Sequence, residues 1–162
     1  MSLFVIMGVS GCGKSSVAAE LAKATGGKFL DADDFHPEAN KKKMTEGIPL
    51  QDEDRWEWLD ALNAELRSRK DNADHIFLAC SALRQTYRDR LNVGLNSLTF
   101  IYLKGSKELI RSRMESRLDH FMPATLIDSQ FASLAEPSDQ EAIILTIDRP
   151  VKEIVSELLR SI

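Results

Sequence analysis

Leu3-Phe-Val-Ile-Met7 followed by Gly8-Val-Ser-Gly-Cys-Gly13-Lys14-Ser15 decides the reading of this chain. The apolar run makes a short buried strand, and the glycine-rich stretch after it makes a turn. Ser16-Val-Ala-Ala-Glu-Leu-Ala-Lys-Ala-Thr25 then continues as a good helix former. Strand, G-x-x-x-x-G-K-[ST] and helix in that order mark a phosphate-binding P-loop. Its glycines let successive backbone N–H groups turn inward around an anion, and the positive helix end near Lys14 adds to the pull. Gly8, Val9, Ser10, Gly11, Cys12, Gly13, Lys14, Ser15 and Ser16 are therefore the candidate nucleotide-binding residues. Lys14 is expected to reach the β- and γ-phosphates of ATP, and the Ser15 hydroxyl to hold Mg²⁺.

Working outward, 162 residues suit one domain with a substantial core. Hydrophobic content of 43% and charged content of 28% are those of a soluble globular protein. A net charge of −4 weighs against a general nucleic-acid binder. Cys12 and Cys80 are too few for a disulfide framework or a zinc site. No signal peptide and no run of membrane-spanning length stands out, so a reduced, cytoplasmic setting without membrane contact is expected.

After the first helix, Gly26-Gly27 supplies a stop and Lys28–Asp31 reads as a second strand. Pro37 opens a helix through about Glu46, and Asp54 with Glu57 has capping-box spacing before an amphipathic helix. Ile76–Cys80, Leu98–Leu103 and Ala142–Ile147 read as three further strands. Helices are expected over Leu83–Val93, Lys107–Leu118, a stretch ending at Leu134, and onward from Pro150. Apolar strands alternating with helices mean an α/β fold, a parallel sheet covered on both faces. Ligands of such sheets sit beyond the carboxyl ends of the strands, where the P-loop, Asp31–His36, Cys80–Arg84 and Asp148–Pro150 should converge.

Asp31-Ala-Asp33-Asp34 offers carboxylates for two tasks, holding Mg²⁺ and accepting the proton of an attacking hydroxyl. Asp31 and Asp33 share a face if strand geometry persists through them. Arg113 and Arg117, four apart on one predicted helix, are cations suited to a lid over transferring phosphoryl oxygens. Arg55, Arg84 and Arg88 are candidates for an anionic substrate, and His36 and His120 are weaker ones. Cys12 stands at a helix N-terminus, where small size within the loop is its expected contribution.

Asp33-Asp-Phe-His-Pro37, Gly47-Ile-Pro-Leu50, Asp52-x-Asp-Arg55, Trp58-Leu59, Cys80-Ser-Ala-Leu83, Tyr87-Arg-Asp89, His120-Phe-Met-Pro123 and Ser129-Gln130-Phe131 follow the P-loop in order. Together they resemble the gluconokinase family along nearly the whole chain. The resemblance implies ATP-dependent phosphorylation of D-gluconate at its 6-hydroxyl, giving 6-phospho-D-gluconate and ADP. It also implies a shikimate-kinase-like, three-layer α/β/α P-loop kinase fold, with a five-stranded parallel sheet in order 2-3-1-4-5. A helical lid over roughly 117–135 and a homodimer are implied as well. By position, Asp33 matches the carboxylate beside the reacting hydroxyl and Asp31 the one near the metal. Arg117 and His120 match the lid, Gln130 falls in the Ser-Gln-Phe motif and is assigned to substrate, and Arg149-Pro150 falls in the loop that flanks adenine. Ala32 and Arg84 depart from the family pattern, which often has Gly and Lys there.

The residues by themselves leave other readings open. One is a kinase for another small hydroxy acid or a nucleotide; another is a P-loop switch; a third is a scaffold. A guanine-nucleotide switch normally carries Asn-Lys-x-Asp, whereas here Asn40-Lys41 is followed by Lys42 and Lys43.

Overall fold

The computed structural model describes residues 2–71, 74–95, 97–116 and 124–162. Five parallel strands form one sheet: β1 (Leu3–Met7), β2 (Lys28–Asp31), β3 (Ile76–Ala79), β4 (Leu98–Lys104) and β5 (Ala142–Thr146), in the order β2-β3-β1-β4-β5. The register sets Leu3 opposite Ile76 on one side and Leu98 on the other. β1 is central and wholly buried, as five apolar residues flanked by two strands must be. Alternation sends Phe4 and Ile6 to one face and Leu3, Val5 and Met7 to the other, and two cores form accordingly.

The first core is covered by α1 (Lys14–Thr25), α5 (Lys107–Glu115) and α7 (Val151–Ser161), through residues such as Leu21, Ile110 and Leu158. The second is covered by α3 (Asp52–Arg69) and α4 (Gln85–Leu91), through Leu59, Leu62, Leu66 and Leu91. α2 (Glu38–Thr45) and α6 (Ala124–Ser133) lie in the segments that reach over the carboxyl edge of the sheet. None of the described helices is long and apolar enough to cross a membrane.

Three local expectations change. The box that starts α3 is formed by Gln51 and Asp54, one turn earlier than Asp54 and Glu57, because the helix already begins at Asp52. The chain leaves β2 in a 3₁₀ turn, Ala32–Phe35, capped by Asp31, so the strand-face argument for Asp31 and Asp33 does not apply. α5 ends at Glu115; Arg117, His120 and the rest of that expected loop lie outside the described residues.

Candidate active site

A cavity of about 640 Å³ opens at the carboxyl ends of β1, β2 and β3. The P-loop forms one wall. Asp31, Asp33, His36, Arg55 and Trp58 form another, while Met44, Ile48 and Leu50 make an apolar lip. Met114, Leu126, Ser129 and Gln130 border it from α5 and α6. This lies where strand order reverses around β1, as open α/β sheets require of their ligand sites.

The P-loop follows from its glycines. Gly13 takes φ 97° and caps α1, a left-handed conformation that an L side chain resists. Gly8 takes φ 148°, and a Cβ there would meet Cys12 Sγ at 2.7 Å and Leu103 O at 2.9 Å. Lys14 Nζ donates to Val9 O at 3.1 Å, curling the ammonium over the loop. Gln130 clasps the loop from α6: its Oε1 accepts from Ser10 N at 2.6 Å and its Nε2 donates to Ser10 Oγ at 2.9 Å. The Ser-Gln-Phe motif, expected at substrate, thus touches the loop itself. Burial pushes the Cys12 thiol up despite the nearby Lys14 ammonium, and pushes Cys80 up to about 12. Both behave as small apolar fillers.

Asp31 Oδ1 accepts from Asp33 N at 3.0 Å, which fixes the turn that carries Asp33 into the cavity. Burial and the Asp31 charge raise the Asp33 carboxyl above the usual carboxylate range, with Lys14 pulling the other way. A carboxylate so placed is a better proton acceptor near neutrality than an ordinary aspartate.

His36 is held in one protonation state. Its ring stacks on Trp58 at 4.1 Å between centroids, and the Trp58 indole donates to Ala32 O at 2.7 Å. Asn40 Nδ2 donates to Asp54 O at 2.7 Å, which settles which end of the amide is nitrogen, and it also lies 3.2 Å from His36 Nδ1. Nδ1 is therefore the acceptor, and the neutral ring carries its proton on Nε2. Burial first, then the Arg55 and Lys41 charges, push the His36 pKa down to about 4. The unfolded chain takes up this proton near pH 6.5 and the folded one only near 4. Stability is accordingly expected to fall as pH drops from 6.5 towards 4, since the unfolded state binds more protons there. Urea midpoints of wild type and His36→Gln measured across that range check this; the difference between them should shrink with falling pH, and parallel curves would refute it.

The arginines separate. Arg55 lines the cavity; Arg84, exposed at the start of α4, does not. Arg88, expected beside a substrate carboxylate, is instead 3% exposed and donates to Ala82 O, Leu83 O, Ala135 O and Gln85 Oε1. Its fork is occupied by backbone carbonyls, so it serves the frame of the site. Arg113 donates to Ile147 O behind the loop, and Arg149 pairs with Glu157 at 2.6 Å. Pro150 is the residue from which α7 starts. Arg113, Arg149 and Pro150 do not line the described cavity. Trp58 reads by type as packing, and Asn40, Met44 and Gly47–Leu50 enter the sequence reading only within family motifs, because apolar residues and an amide carry no chemical signature. Asn40 lies on α2, Trp58 on α3 and the lip at the link between them, so folding rather than a strand end brings them to the site.

P-loop, adjoining carboxylate and parallel sheet together define a P-loop kinase, and the shikimate kinase family model matches residues 10–162. The chain is 44% identical to a probable gluconokinase of Xenopus tropicalis, over 96% of this chain and 90% of that one. It is 41% identical to the thermoresistant gluconokinase of Escherichia coli, over 99% and 93%. The crystal structure of a gluconokinase from Sinorhizobium meliloti 1021 superposes with a TM-score of 0.89 at 40% identity, over 98% of this chain and 90% of that one. The chain belongs to the gluconokinase family.

Proposed function

We propose that this protein transfers the γ-phosphoryl group of ATP to the 6-hydroxyl of D-gluconate, in line and within one ternary complex. The observation that carries the reading is a single cavity lined by both halves of the chemistry. The Lys14 charge acts on the Asp33 carboxyl, and the Arg55 charge on the His36 ring. Lys14 and the loop amides would hold the phosphates, and Asp33 would orient the hydroxyl and accept its proton. Arg55 would face the substrate carboxylate, and the His36 Nε2–H would donate to a substrate oxygen.

The donor set suits Mg²⁺: Ser15 and Asp31 both border the cavity, and this ion typically takes one or two protein oxygens plus phosphates and water. Bound there, it would neutralise charge on the β- and γ-oxygens. Arg117 would belong to a lid over roughly 117–135 that shields the transfer from water, and Arg113, on α5, would act on the nucleotide. Arg149-Pro150 would flank the adenine. A cytoplasmic homodimer completes the reading, and light scattering tests its stoichiometry.

ADP release with gluconate, shikimate, adenosine monophosphate and related sugar acids tests the function. Gluconate should lead, and phosphorus–proton correlation should place the new ester at carbon 6. A strong preference for shikimate or a nucleotide would overturn the assignment.

A further inference from the structure

Arg55 has an unused donor and an aromatic floor. Its Nη2 donates to Leu50 O at 3.1 Å, while its Nε is buried without a hydrogen-bond partner among the described residues. The guanidinium carbon stands 5.1 Å from the centroid of the Tyr87 ring. Tyr87, on α4, does not line the cavity. It is 3% exposed, and its hydroxyl donates to Asp52 Oδ1 at 2.5 Å, in the first turn of α3 just ahead of Arg55. Trp56 closes on the ring edge-to-face at 6.2 Å and 72°. Burial and the bond to Asp52 push the phenol up to about 12, so it stays a neutral donor across the working range.

A free arginine side chain samples many rotamers, and holding it for a carboxylate costs entropy on each binding event. A fixed ring against the guanidinium holds it in place beforehand, through packing and cation–π attraction. We propose that Tyr87 is a positioning residue that holds the Arg55 guanidinium in place for the substrate carboxylate, so that preference for an acid over a neutral polyol depends on a ring outside the cavity. This rests on Arg55 being the carboxylate partner, and the experiment separates the two ideas.

Steady-state kinetics of the full chain are to be measured with gluconate and with its neutral amide. Arg55→Ala should raise the gluconate KM by about 10- to 100-fold. Tyr87→Phe, which keeps the ring, should keep the gluconate KM. Tyr87→pentafluorophenylalanine keeps the shape but strips the negative π face. It should raise the gluconate KM about fivefold over Tyr87→Phe. The KM for ATP should hold, and the preference for gluconate over the amide should fall by the same factor. Tyr87→Met, if folded by circular dichroism, should do the same. Equal KM values for the phenylalanine and fluorinated variants, or equal losses for acid and amide, would overturn the positioning role while leaving Arg55 in place. An unchanged gluconate KM in Arg55→Ala would instead remove the carboxylate reading, and the inference with it.

Discussion

Asp33→Asn is expected to lower kcat by about 10²- to 10⁴-fold, the usual worth of a positioned acid–base group. The substitution keeps the size of the side chain and the Asp33 N–H that Asp31 accepts, so the turn should remain and the Tm should stay within a few degrees. The pH profile gives a sharper check. Burial and Asp31 raise the Asp33 carboxyl while Lys14 lowers it. Activity should therefore fall as pH drops through that raised value, and Asp33→Asn should lack this limb. Lys14→Met should cost about 10²- to 10³-fold in kcat, as loss of a fixed cation at developing charge does. It should also move the acidic limb to higher pH, because the Lys14 charge that lowers the Asp33 carboxyl has gone. Near-wild-type turnover of purified Asp33→Asn would remove this carboxylate from the chemistry.

Arg88→Ala is expected to be the most destabilising change among the charged residues, by about 3–5 kcal/mol. Three backbone carbonyls, those of Ala82, Leu83 and Ala135, would lose a donor in a buried setting. Ala82 takes φ 45°, an uncommon conformation for a residue with a Cβ, and Arg88 holds its carbonyl. The neighbouring Ser81 O accepts from Gly8 N at 3.2 Å, and Leu83 O accepts from Ala135 N at 2.8 Å. One guanidinium thus ties the P-loop's neighbour to the chain that leaves α6. At about 2–4 °C per kcal/mol for a chain of this size, the Tm should fall by roughly 10 °C. Arg88→Lys should recover little, since a single ammonium does not reproduce the fork. Exposed Arg84→Ala should change stability by less than about 0.5 kcal/mol. A stable Arg88→Ala with a raised gluconate KM would return this residue to the substrate.

The difference between Arg88 and Arg55 shows where the sequence stops speaking. Both are arginines beside motif residues near predicted strand ends or helix starts, and pattern alone assigns both to an anion. What separates them is the supply of carbonyls within reach, a property of three segments brought together only by folding. The strand positions and the P-loop were legible because each depends on local chemistry: apolar runs between helices, and glycine where φ is positive; the strand order came only through the family resemblance. The 3₁₀ turn after Asp31 was less so, because a side-chain cap competes with strand extension and only tertiary context decides. The His36–Asn40 pairing was hidden for a related reason. Four-residue spacing suggests proximity, but the carbonyl of Asp54 is what orients the amide.

Of the chain's two tryptophans, Trp58 borders the cavity against His36, whereas Trp56 lies under the Arg90 guanidinium at 4.8 Å and outside it. The protein therefore carries a built-in optical reporter. With Trp56→Phe as background, ultraviolet emission from the remaining indole would follow occupancy in real time and without a label, resolving acceptor arrival from turnover in a stopped-flow trace.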